Sequence, residues 1–432
     1  MRKVLIITYY WPPAGGPGVQ RWLKFVKYLP NHEIEPIVYC PENPSYPNLD
    51  HTLSSDVDSR ITVLKHPIKE PLQFLKIFFR KKTNALSKGA IPSSKKQSFL
   101  ERILLFVRGN LFIPDARIFW VKPSVKYLSS YISKHQINTI ITTGPPHSVH
   151  LIGMQLKAKH QLKWFADFRD PWTDISYHKN LNLTQKAQKK HLQLEHQVLN
   201  ISDHIIVTSS QTKQLFTKKT QQPITFITNG FDDEIVASTS LDCNFTLTHI
   251  GSLLDQRNPI LFWDVLWELI DEFPDFKANF QLVLVGNVSS EIRRSIESAG
   301  LKPYLKLVGS VSHNEAITYQ IKTQVLLLIE ANTPEASYII PGKLFEYLNA
   351  NRPIVALGPK QSDIPSILYD THTGMYFNYD HKSTLKAHIL DLFNGFKKDT
   401  LSVSPNNIQS YSRQSCTQKL AKVLLSYKKN HA

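Results

Sequence analysis

Short apolar runs alternate with amphipathic segments from the first residues of the chain. Val4–Thr8 has the length and β-branched content of a buried strand, and Gln20–Tyr28 places its apolar residues at helical spacing. The further strand-like runs of this half are Pro36–Tyr39, Ile61–Leu64, Thr139–Thr142, Trp164–Asp167, His204–Thr208 and Thr225–Thr228. Because strands that alternate with helices form crossover units, this half is predicted to be one α/β domain with a parallel sheet.

The alternation starts again after a polar stretch from Phe231 to Asn244. The strand-like runs of the second half are Phe245–Ile250, Gln281–Val285, Leu305–Val308, Gln324–Ile329 and Pro353–Leu357. We therefore predict domains at 1–235 and 236–405, and a C-terminal helix within 406–432 that packs back across them. Two doubly wound domains in series are expected to face a central cleft between the carboxyl ends of their sheets. Such folds bind their ligands at the carboxyl ends of the strands.

One segment of the first domain combines bulky apolar residues with lysine and arginine. Pro71–Lys82 and Phe99–Pro114 both have this composition, which predicts a basic amphipathic insertion near 71–114. Two interpretations stay open: helices that cover the sheet, or interfacial helices that rest on anionic lipid.

The charge of the chain favours a polyanionic partner. Lys and Arg outnumber Asp and Glu by 51 to 35, which gives a net charge of +16. Nucleic acid, an anionic membrane surface and phosphorylated substrates all satisfy such an excess. Since the sequence contains no zinc finger, RNP-type aromatic motif or basic zipper, we expect no nucleic acid.

Cysteine usage and hydropathy indicate the compartment. Cys40, Cys243 and Cys416 are far apart and match no zinc-ligand spacing, as is typical of a reducing compartment. The longest apolar runs fall short of the roughly 18 residues of a spanning helix. A cytoplasmic protein, peripheral at most on the inner face of the membrane, is expected.

A glycine-rich loop follows the first predicted strand. Gly15, Gly16 and Gly18 precede a helix, where glycines allow close backbone approach and leave N–H groups that face an anion. Their spacing is not that of the dinucleotide fingerprint. The loop is either a structural strand-to-helix turn or, because it lies at the carboxyl edge of the sheet, a contact for the ligand.

The second domain contains a comparable turn after its first strand. Gly251 and Ser252 follow the strand directly, and Arg257 comes a few residues later. A glycine there lets a phosphate approach the backbone, and an arginine pairs with the phosphate charge. These residues are predicted to bind a phosphorylated ligand.

A second anion site is predicted where a helix opens at Pro341, a residue favoured in the first helical turn. The N–H groups of Gly342 and Lys343 and the Lys343 ammonium would attract an anion there. Glu346 is placed one turn later, where its carboxylate can accept hydrogen bonds from a ribose diol. Its other interpretation is a first-turn acid favoured by the helix dipole.

Seven motifs in order resemble family 4 of the glycosyltransferases, which have the GT-B fold. They are Pro13–Gly18, Thr142–Ser148, Asp167–Trp172, Ile227–Asp232, His249–Arg257, Val308–His313 and Lys343–Leu348. The resemblance runs through nearly all of the chain. It implies two Rossmann-like domains, the second binding a nucleoside diphosphate-sugar and the first a hydroxyl acceptor.

The resemblance also implies the chemistry. It indicates retaining transfer without a bound metal or other cofactor, on a sugar or lipid-linked sugar acceptor in cell-envelope polysaccharide or glycolipid synthesis. The diphosphate is expected at Gly251, Ser252, Arg257, Gly342 and Lys343. The ribose is expected at Glu346, and the acceptor at the loop of Gly15, Gly16 and Gly18.

Two polar residues that follow strands at the carboxyl edge of the first sheet are the candidate catalytic residues. His147 is expected at the donor sugar or the acceptor hydroxyl. Asp170, beside Arg169, is expected to orient the acceptor or to stabilise positive charge on the sugar. The alternatives are a surface or capping histidine for His147 and a structural Asp–Arg pair for Asp170.

The chain departs from the family at two positions. Tyr338 stands where the family often has the first of two glutamates, the second of which is Glu346. Gly251-Ser252 stands where Gly-Arg is frequent, which leaves Arg257 and Lys343 as the main phosphate charges. A GT-B nucleotide-sugar epimerase and a non-catalytic GT-B protein that binds a membrane or partner remain alternatives.

Overall fold

The computed structural model describes residues 1–70, 99–175, 178, 181–232 and 239–426. The chain divides into two compact units. The first contains Met1–Asn229 and Arg413–Ala432, and the second contains Gly230–Ser412.

The first unit contains a parallel sheet of seven strands in the order β3-β2-β1-β4-β5-β6-β7. The strands are β1 Arg2–Thr8, β2 Ile34–Pro41, β3 Thr62–His66, β4 Thr139–Gly144, β5 Lys163–Phe168, β6 His204–Val207 and β7 Ile224–Phe226. Each strand predicted from the sequence in this half is present, with ends shifted by up to a few residues.

Helices connect these strands and cover both faces of the sheet. They are α1 Pro17–Tyr28, α2 Phe99–Asn110, α3 Ile118–His135, α4 Ser148–Lys159, α5 Gln185–Ile201 and α6 Ser210–Thr217. Successive residues of β1 serve opposite faces: Leu5 and Ile7 belong to one apolar cluster, and Val4 and Ile6 to another. A strand buried on both sides reads as a continuous apolar run, which explains the sequence pattern of β1.

The C-terminal helix, Arg413–Ser426, belongs to this first unit. Its buried residues Leu420 and Leu424 join the apolar cluster that contains Trp22 and Val26 of α1. The helix therefore returns after the second unit to complete the core of the first.

The second unit contains a parallel sheet of six strands in the order β10-β9-β8-β11-β12-β13. The strands are β8 Phe245–Ile250, β9 Phe280–Val285, β10 Leu305–Gly309, β11 Val325–Ile329, β12 Ile354–Gly358 and β13 Gly374–Asn378. The helices are α7 Ile260–Glu272, α8 Pro274–Asn279, α9 Ser290–Ser298, α10 His313–Lys322, α11 Gly342–Asn349, α12 Ile364–Thr371 and α13 Lys382–Lys397.

Two details of the second unit differ from the sequence prediction. Strand β13 was not predicted, because Gly374–Asn378 is an edge strand with little buried apolar surface for a pattern to reveal. Pro341 was expected inside the first helical turn, but it is the N-cap, and α11 begins at Gly342. Pro341 therefore has extended backbone, and the N–H groups of Gly342 and Lys343 open the helix.

The predicted insertion is described only in part, since Pro71–Lys82 lies outside the described residues. Phe99–Asn110 is the helix α2, in which Leu105 is fully buried while Ile103 and Phe106 are exposed. This helix thus has an apolar contact with the core and also apolar side chains in solvent. Within the described ranges, no helix combines the length and apolar content that crossing a bilayer requires.

Candidate functional site

The central strand pair of the second sheet ends in a cluster of polar residues. Strands β8 and β11 are neighbours, and the sheet reverses its order of connection between them. Gly251 follows β8 directly, and Glu330 follows β11. The carboxyl edge at such a reversal is where open α/β sheets bind their ligands.

Lys343 lies across this edge from the first turn of α11. Its ammonium Nζ is 3.3 Å from Nε2 of His249, a fully buried residue of β8. A Cβ placed on Gly251, whose φ is +122°, would lie 2.8 Å from the same Nζ. Gly251 is therefore required both by its backbone conformation and by the space that Lys343 occupies.

The surroundings of Lys343 weaken its hold on a proton. Burial lowers the pKa of its ammonium to about 8, and the nearby Arg257 charge acts in the same direction, while Glu330 and Glu346 oppose them. The two cations lie beside two glutamates, and the lowered pKa of Lys343 shows that the glutamates do not offset burial and the Arg257 charge. A bound anion would relieve the repulsion between the two cations.

Arg257 is anchored by a buried carboxylate. Its guanidinium is 3.3 Å from Oε2 of Glu330, whose side chain is only 3% exposed. Burial raises the pKa of Glu330, against the opposing charges of Arg257 and Lys343. The other oxygen, Oε1, is buried and has no hydrogen-bond partner among the described residues. The carboxylate thus fixes Arg257 at the edge while a third of the arginine side chain remains exposed.

The remaining predicted residues of this unit surround the two cations. Glu346, one turn along α11 from Lys343, accepts a hydrogen bond of 2.9 Å from the Gln320 amide. Ser252 is exposed directly after Gly251. The structure therefore brings Lys343, Arg257 and Gly251 together, and it places Glu346 beside Lys343 rather than alone on a surface.

Two features of this edge differ from the sequence prediction. The Gly251 N–H donates to the Val285 carbonyl over 2.7 Å, so this amide is already engaged in the sheet. His249 was quoted only as the first residue of a motif, and neither it nor Glu330 was given a role in the site. The available signal was a histidine inside the apolar run of β8 and a carboxylate at the end of the apolar run of β11.

The first sheet has its own polar edge where β1 pairs with β4. His147 follows β4 and precedes α4, with 5% of its surface exposed. Its ring stacks on Trp172 at 4.7 Å between centroids and 4° between planes. It is therefore not a surface residue, and its side chain does not cap the helix that it precedes.

The ring of His147 is neutral and unsatisfied. Burial lowers its pKa well below the usual value, and the neighbouring His150 and His178 rings act in the same direction. Neither Nδ1 nor Nε2 has a partner among the described residues. A neutral imidazole offers one donor and one acceptor, and in His147 both nitrogens are buried without a protein partner.

The backbone beside His147 is held by a carboxylate that sequence reasoning did not single out. Asp115 accepts hydrogen bonds of 2.8 Å from both the N–H and the hydroxyl of Ser148, the first residue of α4. Its carboxylate also interacts favourably with the positive, N-terminal end of the α4 dipole. Asp115 therefore fixes the turn that carries His147.

Asp170 does not form the structural pair with Arg169 that was the alternative to a catalytic role. Arg169 donates from Nε and Nη2 to the carbonyls of Gly144 and Pro145. Within the described part of the chain, Asp170 forms no salt bridge. Burial raises the pKa of the Asp170 carboxyl against the opposing charge of Arg169. The carboxylate is thus left for another partner.

The glycine loop differs in part from the expectation. The Gly15 N–H donates to the Asn48 carbonyl over 3.1 Å, so it does not face an anion. A Cβ on Gly18 would lie 1.5 Å from Nη1 of Arg169, which shows that Gly18 makes room for that guanidinium. Gly16 is the N-cap of α1 with a φ of +114°, and nothing lies within 4 Å of the position that a Cβ would occupy. Of the three glycines, Gly16 alone fits a direct ligand contact.

Asp167, quoted in a motif but given no role, proves to be structural. Its buried carboxylate pairs with Arg21 at 3.2 Å and accepts hydrogen bonds from Trp22 Nε1 and Thr143 Oγ1, each of 2.8 Å. A buried charge must be compensated in this way. Asp167 ties α1 and β4 to β5 rather than facing a substrate.

The last candidate positions are those for a metal ion and for the first glutamate of the family. In the described ranges, no three His, Cys, Asp or Glu residues lie close enough to hold a metal ion. The Asp56-Val57-Asp58 segment has the Asp-x-Asp spacing of some metal sites, but Asp56 forms an ion pair with Lys24 and Asp58 with Arg60. Tyr338, at the family's first glutamate position, ends a short 3₁₀ turn and is half-buried.

No protein-family model matches the chain, and no curated protein sequence matches it. Solved structures match almost its whole length. HepE from Anabaena, crystallised with UDP and glucose, is 14% identical over 99% of this chain and 100% of its own, with a TM-score of 0.61. Sucrose-phosphate synthase from Thermosynechococcus elongatus is 13% identical over 99% of each chain, with a TM-score of 0.62.

A third match is the lipopolysaccharide outer core galactosyltransferase WaaB, 13% identical over 99% of this chain and 100% of its own, with a TM-score of 0.59. The chain has the GT-B fold. This confirms the fold that the resemblance implies, since each unit has the predicted doubly wound parallel sheet. At 13–14% identity, these matches show the fold of the chain and not its activity.

Proposed function

We propose that this chain is a family 4 glycosyltransferase that moves a sugar from a nucleoside diphosphate-sugar to a hydroxyl acceptor with retention of configuration. The observation that carries the proposal is the pair of cations, Lys343 and Arg257, at the carboxyl edge of the second sheet. Departure of a nucleoside diphosphate places negative charge on the leaving group, and preorganised positive charge stabilises it.

The second unit binds the donor. Lys343, Arg257 and the N-terminal amides of α11 contact the diphosphate, with Gly251 and Ser252 beside it. Because these groups supply the positive charge, transfer proceeds without a bound metal. Glu346 accepts the hydroxyls of the ribose. UDP is the nucleotide to test first, since the similar HepE was crystallised with UDP.

The first unit binds the acceptor and contacts the sugar that is transferred. The unsatisfied ring of His147 hydrogen-bonds a sugar or acceptor hydroxyl. Asp170 orients the acceptor or stabilises positive charge that develops on the sugar. Gly16 contributes backbone contacts to the acceptor.

A release assay tests the proposal against the alternatives. The purified protein is incubated with a panel of nucleotide-sugars, with and without sugar acceptors, and free nucleoside diphosphate and new sugar nucleotides are measured. A transferase releases diphosphate only when an acceptor is present. Conversion of one sugar nucleotide into another indicates an epimerase, and no change with any donor, together with no binding, contradicts the proposal.

The acceptor is proposed to belong to cell-envelope polysaccharide or glycolipid synthesis, and the protein to act in the cytoplasm at the inner membrane face. The similar WaaB is a lipopolysaccharide galactosyltransferase. Ile103 and Phe106 on α2, Leu111 and Phe119 are exposed, and the chain carries a charge of +16. Apolar side chains and basic charge together favour an anionic lipid surface.

Vesicle sedimentation tests this membrane contact. The protein should sediment with anionic but not with zwitterionic vesicles, and salt should release it. Replacing Ile103 and Phe106 with serine should weaken sedimentation while transfer to a short soluble acceptor continues. Tyr369, exposed on the second unit, provides the control: Tyr369→Ser should sediment as the wild type does. Failure of the wild type to bind anionic vesicles at low salt contradicts the membrane proposal.

A further inference from the structure

His249 connects three elements of the second unit through one buried ring. It lies on β8 and is fully buried. Nδ1 is 3.0 Å from the Leu327 carbonyl on β11, and Nε2 is 3.3 Å from the Lys343 ammonium on α11. His249, on a strand whose other residues are apolar or threonine, thus contacts Lys343, the proposed donor-binding cation.

The partners of the ring determine where its proton lies. A carbonyl oxygen only accepts, so Nδ1 carries the hydrogen that is donated to Leu327. An ammonium only donates, so Nε2 presents its lone pair to Lys343. Burial lowers the pKa of His249 well below the usual value, and Lys343 and Arg257 add to that effect, while backbone groups of Leu327 and Ser252 oppose it. The ring therefore holds a single proton.

We propose that His249 is a positioning residue whose neutral ring aims the Lys343 ammonium at the diphosphate of the donor. This inference rests on the proposed function, because it assigns the anion that Lys343 meets. A lysine has a flexible stem with four rotatable carbons, and a fixed acceptor restricts where its ammonium lies. Preorganisation of that kind removes an ordering cost from the binding of the donor.

A neutral acceptor suits this position better than a carboxylate does. The charged groups that face Lys343 are Arg257 from the loop after β8, Glu330 from the end of β11 and Glu346 on α11. A further carboxylate would pair with the ammonium and compete with the diphosphate. The neutral ring of His249 orients the ammonium while leaving its charge for the ligand.

Two substitutions separate positioning from scaffolding. In His249→Asn, the amide nitrogen takes the place of Nδ1, so the bond to Leu327 is kept and the acceptor for Lys343 is lost. In His249→Gln, the amide oxygen takes the place of Nε2, so the acceptor is kept and the bond to Leu327 is lost. Thermal melts establish that both variants are folded.

The affinity for UDP is measured by calorimetry in both variants. We expect the Asn variant to lose about tenfold or more, as for a lost hydrogen bond to a charged group, and the Gln variant to stay within about threefold of the wild type. A purely structural role of the Leu327 bond predicts the reverse order. Equal losses in both variants also overturn the proposal.

A second readout does not depend on a ligand. Loss of the acceptor disfavours the charged ammonium, so the pKa of Lys343 should fall further below its value of about 8 in the Asn variant and not in the Gln variant. NMR of lysines labelled at Cε measures this pKa. An unchanged pKa in the Asn variant contradicts the proposal.

The wild-type protein supplies the remaining measurement. Nitrogen NMR of the His249 ring should show a protonated Nδ1 and a bare Nε2 from pH 6 to 8, and a protonated Nε2 overturns the proposal even if neither variant folds. If the wild type binds neither UDP nor pyrophosphate, the proposed function fails. The ring tautomer and the pKa of Lys343 then still decide whether His249 positions the ammonium.

Discussion

The carboxyl edges of the two sheets have the same strand order but different chemistry. In each unit the edge lies where the first strand pairs with the fourth, β1 with β4 and β8 with β11. The edge of the second unit holds the basic residues Lys343 and Arg257 beside the buried Glu330. The edge of the first unit holds the neutral ring of His147 on Trp172.

The two edges differ in the chemical group that their side chains can bind. In the first unit the available cation, Arg169, is engaged by the Gly144 and Pro145 carbonyls, so it does not confront a phosphate. In the second unit the Arg257 charge lowers the pKa of Lys343, which Glu330 and Glu346 oppose, and the anion that the two cations bind is our proposal. Position in the fold thus indicates where a ligand binds, while the side chains indicate which chemical group binds there.

The largest expected effect comes from removing the charge that distinguishes the second edge. Lys343→Ala should lower kcat/KM by about 100-fold or more, because one preorganised donor to a developing negative charge is lost. Steady-state kinetics with the preferred donor measure it. Lys360, also a lysine of the second unit but 73% exposed and paired with Asp380, is the control. Lys360→Ala should behave as the wild type, and equal kinetics for both variants contradict the donor-site assignment.

The second prediction removes the polar group that distinguishes the edge of the first sheet. His147→Phe keeps a ring to stack on Trp172 but removes both nitrogens. We expect kcat to fall by about 100-fold, in the range of lost proton or hydrogen-bond contributions, while UDP affinity stays unchanged because the second unit is intact.

The control for this prediction is another buried histidine of the first unit. His204 begins β6, at the amino end of the sheet, and burial lowers its pKa to about 4. His204→Phe is expected to alter stability but not kcat. If His147→Phe retains kcat within a few-fold, His147 fills space and the first edge has no chemical role through it.

The sequence alone predicts the fold better than the site. Buried strands such as β1 and β11 show as continuous apolar runs, so twelve of the thirteen strands in the described residues were predicted, and among these only β13 was not. The missing strand lies at an edge of its sheet, where only Phe377 is buried while Met375 is exposed and Tyr376 half-buried, so the run shows no clear period.

The site was predicted where a residue type implies its own chemistry. Lys343 and Arg257 carry charge at glycine-containing turns, and the structure brings them together. Contacts between residues distant in sequence could not be predicted. The Lys343–His249 contact spans 94 positions, and the Arg257–Glu330 pair depends on two strands becoming neighbours. The need for a glycine at position 18 was not predictable either, because the Arg169 guanidinium comes to lie beside Gly18 only in the folded chain.

A smaller effect is expected from the space that the second edge reserves for its cation. Gly251→Ala introduces a Cβ at 2.8 Å from Lys343 Nζ and strains a φ of +122°. We expect UDP affinity to fall by about tenfold as the ammonium is displaced. Gly309 is the matched control, because its φ is +83° but nothing lies within 4 Å of its Cβ position. Gly309→Ala should lower the melting temperature without changing UDP affinity, and equal affinities for the two variants contradict the steric assignment.

The smallest expected effect is the pH dependence of the second edge, which the first edge does not share. Burial, followed by the Arg257 charge, lowers the pKa of Lys343 to about 8. The ammonium that we propose to bind the diphosphate is therefore present below pH 8 and is lost as the pH rises through that value, so UDP affinity should fall a few-fold between pH 7 and about 8.5. The same shift acts oppositely on folding: the unfolded lysine keeps its proton up to a higher pH, so this group adds stability as the pH rises above 8. Calorimetric titration at several pH values measures the first effect, and Lys343→Arg, which stays charged throughout, should abolish it. An affinity that falls equally in the Lys343→Arg protein would assign the pH dependence to another group.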